Sequence, residues 1–451
     1  MDNVFLKYIP IGCDNKIRVT IVVNMVLVWL LFFVQVTPIV QRNIPIILQL
    51  FLLLVWFFST VLERGGPLPT IKDKIVFYSF LFWIIEIIWW LVGLSGMNPA
   101  VYFIRASIFA IPFVSVYVLR CYSLREKEIL LFGMKFIVLA NLISNVYLYV
   151  TNPRLFYVFG SYGSVVKKSS NIGSTSFIFV CILFIVITMI GVLNVKFSYR
   201  SLVNFVLMLL FSYHIIFQNH RATAFIIFIV LILSVLLVTT GRIKDNIKMK
   251  MFFRFLLGMM ICIILVIPFL TFISRFFSDA YMGSRLASLL SFLSGEYSGG
   301  ASGDSFSSRT ALMQAGLGTI FDNFYNFLFG IGEFDYGTYN LKQLINAGVS
   351  NHSELIDSFT YYGVFGGVVY ILFFKSIVNF VLQHCASDQM RRQCMISLII
   401  IFIYSILNKI FSGDIMYMLI LFFPLSISMI SMKKQNLVLL SNEFWIGKVK
   451  K

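Results

Sequence analysis

The sequence predicts an all-α membrane protein, a polytopic helix bundle of about twelve transmembrane helices with one large external loop. Hydrophobic residues make up 59% of the 451 residues and charged residues only 12%, with a mean hydropathy of +0.90. About a quarter of an ordinary soluble domain is charged, so that class is excluded. Apolar runs of about 20 residues, the length that crosses a bilayer as a helix, recur along the chain. One polar stretch, residues 275–351, is too long and too hydrophilic to lie in lipid.

The apolar runs and the polar stretch divide the chain into four parts. Spans are predicted near residues 17–36, 44–62, 75–94, 99–119, 129–150, 176–194, 199–217, 222–240, 252–274, 359–382, 394–408 and 414–430. The parts are the first nine spans at 1–274, the external loop with short helices at 275–352, the last three spans at 353–431 and a basic tail at 432–451.

The external loop has an internal pattern of its own. Residues 295–308 are rich in Gly and Ser and are expected to be flexible. A helical spacing of apolar residues follows from Ser308 to about Phe329. Gly330-Ile331-Gly332 is expected to end that helix.

Basic residues alternate between the two ends of the predicted spans. Lys and Arg are concentrated in the loops on one side, such as 242–254 and the tail, and are sparse in the short loops on the other side. By the positive-inside rule, both termini are cytoplasmic and the 275–351 loop is external. The net charge of +17 is then an orientation signal and an attraction to anionic membrane lipids. Nucleic acid is not an expected partner.

Two charges lie inside predicted spans, Glu86 in the third and Arg105 in the fourth. The turn between these spans, residues 95–98, is very short, so the spans form an antiparallel hairpin. At about 1.5 Å per residue, both charges lie roughly 10–14 Å below the turn. An unpaired charge there costs at least about 2.5–3.5 kcal/mol, so a Glu86–Arg105 pair is expected. Either the pair fixes helix packing, or Arg105 borders a pocket for an anionic lipid head group.

Two arginines on the external side occur in similar short sequences. Residues 218–224, QNHRATA, form a tight turn that leaves Arg221 in the first turn of a helix, and residues 307–311, SSRTA, contain Arg309. A guanidinium beside helix N-terminal amides suits a phosphate, because its forked donors and the helix dipole act on the same anion. The alternatives are a lone interfacial anchor at Arg221 and an ordinary surface arginine at Arg309.

A histidine lies where the external loop returns to the membrane. His352 stands in the sequence NHSEL at 351–355, with GVFG following at 363–366. Histidine accepts protons near neutral pH, so His352 is the candidate general base. The other three histidines fall within a span, beside Arg221 or on the cytoplasmic side. The alternative is a structural polar cap at the start of a helix.

Taken together, these segments resemble the O-antigen polymerase and O-antigen ligase superfamily. The likeness lies in an arginine after a short external turn, a large external loop with a second arginine, and a closing histidine with Gly-x-x-Gly about eleven residues on. It covers the architecture of most of the chain, with motif residues at 218–224, 307–311, 330–332 and 351–366. The resemblance implies a glycosyltransferase of the bacterial inner membrane that acts on undecaprenyl-pyrophosphate-linked sugars at the periplasmic face.

The resemblance also implies roles for individual residues. Arg221 and Arg309 bind the donor pyrophosphate and stabilise its charge as it leaves, and Arg285 is a second-rank candidate for that anion or for the acceptor's pyrophosphate. His352 takes a proton from the acceptor hydroxyl. The candidates for hydrogen bonds to sugars are Asp304, Glu333 and Glu354. No metal or other cofactor is expected, and a separate chain-length regulator is an expected partner.

Three activities fit this pattern to different degrees. A polymerase joins lipid-linked repeat units to one another and is favoured, because the chain matches the ligase pattern loosely. An O-antigen ligase would transfer the polysaccharide to lipid A-core instead. A polysaccharide flippase or exporter would share the composition and orientation, but it needs no external loop of this size.

Overall fold

The computed structural model describes residues 19–64, 72–151, 171, 175–194, 222–240, 303–334, 340–350 and 352–432, and these contain helices and no strand. The helices are α1 Val19–Val36, α2 Pro38–Asn43, α3 Ile46–Arg64, α4 Lys74–Leu91, α5 Pro99–Phe109, α6 Ile111–Cys121, α7 Leu124–Thr151, α8 Thr175–Asn194, α9 Ala222–Thr240, α10 Gly303–Asp322, α11 Phe324–Phe329, α12 Leu341–Asn346, α13 Glu354–Leu382, α14 Asp388–Leu407 and α15 Gly413–Met432.

Five of these helices are long and apolar enough to cross a membrane: α4, α7, α8, α13 and α15. Shorter apolar stretches lie in α1, α3 and α6. Such helices belong to a membrane protein, because only lipid removes the cost of leaving so much apolar surface exposed. The predicted spans at 199–217 and 252–274, and the first part of the loop, lie outside the described residues.

The core of the bundle is formed by α8 and α15. In the membrane-crossing part of α15, 89% of the residues are buried inside the protein, and in α8 78% are, against 33% in α4. Helices α8 and α15 are therefore central in the bundle, and α4 presents most of its surface outward. α4 packs on α13, α1 packs on α3, and α9 packs on α14.

The predicted span 99–119 is wrong as a single helix, because the structure divides it into α5 and α6 at Ala110. Pro112 lies in the first turn of α6. Proline has no backbone N–H and its ring displaces the carbonyl four residues before it, so the helix breaks there. The carbonyl of Phe109 accepts a hydrogen bond of 2.8 Å from the hydroxyl of Ser79 on α4. A side chain thus satisfies a carbonyl at the end of α5, as the interior of a membrane requires.

A π turn at Tyr417–Phe422 interrupts α15 in a similar way. A π turn widens the helix and alters its backbone hydrogen bonds. The hydroxyl of Ser115 on α6 donates to the carbonyl of Ile420 at 2.5 Å. Both departures from regular α-helix are therefore stabilised by a serine on a neighbouring helix.

The described part of the polar stretch holds three helices, α10, α11 and α12. The prediction of a flexible run through Ser308 is wrong at its end, because α10 already begins at Gly303. The predicted break at the Gly-x-Gly sequence is present: Gly330 and Gly332 have φ of 72° and 76°. Such a conformation is left-handed and favours glycine, so the chain turns sharply after α11.

Candidate functional site

The α4–α5 hairpin brings Glu86 and Arg105 together at the end of the bundle where the two helices meet. Arg105 Nη1 lies 3.0 Å from Glu86 Oε1, so the pair predicted from the short turn is present. The second carboxylate oxygen of Glu86 is buried and has no hydrogen-bond partner among the residues that the structure describes. The guanidinium of Arg105 therefore donates to one carboxylate oxygen of a buried acid.

A second acid, Glu333, joins the pair from the segment after α11. Both guanidinium Nη atoms of Arg105 donate to it, Nη1 to Oε2 and Nη2 to Oε1, each at 2.6 Å. The hydroxyl of Tyr362 on α13 also donates to Glu333 Oε2 at 2.6 Å. Glu333 is buried, and its predicted hydrogen bond to sugar stays a prediction. We call Glu86, Arg105, Glu333 and Tyr362 the charge cluster.

The segment that carries Glu333 packs against a break in α13. Gly363 has non-helical angles, φ 63° and ψ −159°, and this interrupts the hydrogen bonds that the preceding carbonyls would otherwise accept within the helix. The N–H groups of Ile331 and Gly332 donate to the carbonyls of Thr360 and Tyr361, both at 2.9 Å. An irregular backbone inside a membrane protein is tolerated where other chain segments satisfy its polar groups.

The other side of the same segment contacts the α4–α5 turn. The N–H of Gly96 and the hydroxyl of Ser95 donate to the carbonyl of Glu333, at 3.0 and 2.5 Å. The indole of Trp89 donates to the carbonyl of Phe329 at 2.5 Å. Residues 329–333 therefore lie between the α4–α5 turn and the break in α13, hydrogen-bonded to both.

We expect Gly332→Ala to lower the stability of the protein by about 2 kcal/mol or more. A Cβ there would lie 1.5 Å from the carbonyl oxygen of Leu94, and a positive φ alone costs on the order of 1–3 kcal/mol. Thermal unfolding of the detergent-solubilised protein measures the loss. Two controls separate the causes: Gly93→Ala keeps the positive φ with open space around the new Cβ, and Gly318→Ala in α10 has open space and no positive φ. A loss no larger than that of Gly93→Ala would contradict the close approach.

The electrostatic state of Glu333 follows from its neighbours. Burial disfavours its charge, but the charge of Arg105 and hydrogen bonds from Arg105 and Tyr362 outweigh burial and lower the pKa of Glu333 below its ordinary value. The carboxylate is therefore ionised at neutral pH and is a permanent partner for Arg105.

The lowered pKa gives the stability a defined pH dependence. A carboxylate whose pKa is lower in the folded state stabilises the protein above its unfolded pKa of about 4.3, and this contribution is lost as the pH falls through the folded value. We therefore expect the stability difference between the wild type and Glu333→Gln to be constant from pH 7 to about 5 and to shrink below about pH 4.3. Thermal unfolding of both proteins across this range measures it. A difference that grows on acidification would contradict the ion pair.

Glu354, the other predicted sugar-binding acid of the last loop segment, contacts backbone. Its Oε2 accepts hydrogen bonds from the N–H groups of Ile410 and Phe411 at 3.2 and 3.1 Å. One turn further along α13, Asp357 Oδ2 lies 3.8 Å from Lys409 Nζ. The first turn of α13 therefore holds the turn between α14 and α15, and the predicted sugar contact of Glu354 stays a prediction.

His352 lies on the surface immediately before α13. Ser350 Oγ accepts from the N–H groups of His352 and Ser353 at 3.4 and 3.0 Å. Ser353 Oγ in turn accepts from the N–H of Ile356 at 3.2 Å and caps α13. The serines provide the polar cap, and the side chain of His352 is exposed.

α10 packs against the turn that contains His352. A Cβ at Gly316 would lie 2.9 Å from Ile356 Cγ2 and 3.4 Å from Ser350. Thr360 Oγ1 lies 3.4 Å from the Gly316 carbonyl. Glycine thus allows α10 to approach both sides of the His352 turn. Arg309 stands in α10 seven residues before Gly316, or about 10 Å along the helix axis.

The remaining predicted site residues have less structural description. Asp304 and Arg309 lie in α10, and their side chains are outside the described residues. Arg221 and Arg285 lie outside the described ranges altogether. Within those ranges, no group of three or more His, Cys, Asp or Glu side chains is arranged to hold a metal ion.

No family model matches this chain, and no curated protein matches it in sequence.

Sequence reasoning missed the third and fourth members of the charge cluster. Glu333 and Tyr362 are separated from Arg105 by 228 and 257 residues, so no local spacing connects them. A signal was present in the glycines at 330, 332 and 363, since each marks a close approach of backbone to backbone.

Proposed function

We propose that this protein is a glycosyltransferase that polymerises undecaprenyl-pyrophosphate-linked oligosaccharide repeat units into O-antigen or a capsule-type polysaccharide. One observation carries the proposal: α10, which contains Arg309, packs through Gly316 onto the turn that contains His352. A phosphate-binding residue type and an exposed potential base thus belong to one packed unit. That arrangement suits chemistry in which a phosphorylated leaving group and an acceptor hydroxyl meet.

The proposed reaction has one bond-forming step. The acceptor hydroxyl attacks the anomeric carbon of the donor sugar, and the bond between that carbon and the lipid pyrophosphate breaks. The proton of the hydroxyl passes to His352, and the electron pair of the broken bond stays on the pyrophosphate. Arg221 and Arg309 stabilise the charge that develops on this leaving group, and Arg285 is the second-rank candidate for the same anion or for the acceptor's pyrophosphate. The energy of the activated donor bond is sufficient, and no metal or cofactor is invoked.

The proposal includes a topology of twelve spans in the bacterial inner membrane. Both termini lie in the cytoplasm and residues 275–352 in the periplasm. Support comes from the distribution of basic residues and from the coincidence of predicted spans with helices. Each predicted span within the described residues corresponds to one helix, or in one case to the α5–α6 pair. A lipid-linked donor with its tail in the bilayer then reaches His352 from the membrane side.

Arg221→Lys and Arg309→Lys are each expected to slow polymerisation at least about tenfold, equivalent to about 1.4 kcal/mol in the activation barrier. Lysine keeps the charge but loses the two-pronged geometry that fits a phosphate. The rate of polymerisation is measured in proteoliposomes with radiolabelled repeat units. The matched control is Arg391→Lys, an exposed arginine at the other end of the bundle, which should be unaffected. Wild-type rates in both variants would exclude the proposed binding of the pyrophosphate by these two arginines.

A deletion of the gene distinguishes polymerase from the two alternatives. A polysaccharide gel of the deletion strain that shows a single repeat unit on the lipid A-core supports the polymerase. Loss of all core-attached repeat units with lipid-linked polymer retained indicates a ligase instead. Absence of any external product, with repeat units held inside the cell, indicates a flippase. Either of the last two outcomes overturns the proposal.

A further inference from the structure

We propose that the end of α10 together with α11 forms a membrane-docking surface that lies in the head-group boundary of the lipid bilayer. The surface consists of Phe321, Phe324, Tyr325 and Phe329, and we call it the aromatic surface. Its occupant is lipid of the bilayer in which the spanning helices sit. The inference concerns where this segment rests, and it does not depend on the proposed transferase activity.

The aromatic surface is exposed to an extent that water does not favour. Phe324 and Phe321 are 74% and 73% exposed, and Tyr325 is 52% exposed. α11 has the sequence FYNFLF, in which no residue is buried within the protein and none is charged. Soluble surfaces rarely expose contiguous apolar patches, because each large side chain left in water forgoes its burial energy. The composition is that of a segment covered by something apolar.

Continuity with the lipid-facing side of α13 identifies the covering as lipid. Phe365, Val368 and Ile371 are the exposed large apolar residues along that spanning helix. Their spacing of three residues forms one stripe on the helix, and on a membrane span such a stripe faces lipid. The ring centroid of Phe329 lies 6.3 Å from that of Phe365, and the ring of Tyr325 follows at 5.2 Å from Phe329. The aromatic surface therefore extends the lipid-facing stripe.

The depth of the surface is fixed by its attachment to α4. The indole of Trp89, in the last turn of α4, donates to the carbonyl of Phe329. The neighbouring residues Leu91 and Val92 are 68% and 61% exposed where α4 ends. The end of a spanning helix marks the boundary between hydrocarbon and head groups. The aromatic surface is attached to the protein at that level.

Aromatic residues are the side chains expected at that level. Tyr and Trp are enriched at membrane interfaces, and helices lying in the interface bury an apolar face about 5–10 Å into the boundary. The charges of residues 317–334 do not oppose this position. They are Asp322, which precedes α11, and Glu333, which is buried against Arg105.

The test is tryptophan fluorescence of the full-length chain in liposomes that contain brominated phospholipids. The added emission of Phe324→Trp, above that of the native tryptophans, should be largely quenched, and more by bromines near the head groups than by bromines at the chain ends. Tyr325→Trp provides a second reporter if the first variant does not fold. The matched control is Lys342→Trp, an exposed position on α12 of the same polar segment, which should keep its emission.

Three outcomes would overturn the inference. Emission from Phe324→Trp that resists bromolipids but is quenched by aqueous acrylamide would place the aromatic surface in water. Emission shielded from both quenchers would place it against another protein or a second copy of this chain. Equal quenching of the Lys342→Trp control would remove the selectivity that docking through the aromatic surface requires.

Discussion

His352→Ala is expected to abolish long polysaccharide while leaving the protein in the membrane. A positioned general base contributes about 10²–10⁴-fold to a proton-transfer step, and no other described histidine lies near the turn before α13. The variant should therefore slow polymerisation by that factor. Gel analysis of the polysaccharide gives the product distribution, and rates come from proteoliposomes with lipid-linked repeat units.

Two controls accompany the His352 variant. Because Ser350 and Ser353 make the hydrogen bonds that cap α13, loss of the imidazole should leave the thermal midpoint nearly unchanged. Lys342→Ala, at another exposed position of the same segment, should retain full activity. Full-length polysaccharide from His352→Ala would refute the role of this residue as base, while the topology would be untouched.

Arg105→Leu is expected to cause the largest loss of stability of any single change in the described bundle. Glu86 and Glu333 are both buried, and removing the guanidinium leaves two buried acids without their cation. Breaking a buried ion pair in this way costs about 3–5 kcal/mol. Denaturant or thermal unfolding in detergent measures the loss. Hydrogen exchange should show the amides of Ile331 and Gly332 opening first, because Glu333 no longer holds their segment.

A compensated variant and a control make this prediction specific. The triple variant Glu86→Leu, Arg105→Leu and Glu333→Leu should recover most of the stability, since apolar packing replaces buried ion pairs at little cost. Lys409→Leu removes the cation of a longer pair, 3.8 Å from Asp357, in which the lysine is more exposed than Arg105, so a smaller loss is expected. Equal losses of stability for Arg105→Leu and Lys409→Leu would show that the charge cluster stabilises the protein no more than the Asp357–Lys409 pair does.

The spans were predictable because hydrocarbon thickness imposes a length and a composition on each one. The ends of helices were less predictable, since they depend on single residues. Pro112 divides a predicted span, and it was visible in the sequence. The early start of α10 at Gly303 was hidden, because a Gly/Ser-rich run has no local preference for helix.

The candidate site was predictable only where its parts are close in sequence. The Glu86–Arg105 pair follows from a short turn and the cost of an isolated charge. Glu333 does not, because its burial depends on glycines that let two distant backbones touch. For Glu333 and Glu354, predicted as sugar ligands, the structure shows contacts that the sequence did not predict: Arg105 for Glu333 and two backbone amides for Glu354. His352 is exposed, and its role as base stays a prediction.

The break in α13 has a consequence for the order of biosynthesis. The two amides that complete it, from Ile331 and Gly332, precede Gly363 in the chain and leave the ribosome first. A newly synthesised α13 that enters the bilayer alone is expected to be a straight helix, because its carbonyls can accept hydrogen bonds only from its own amides. We therefore expect the bend to form only when residues 331–332 pack against α13 and donate these two hydrogen bonds.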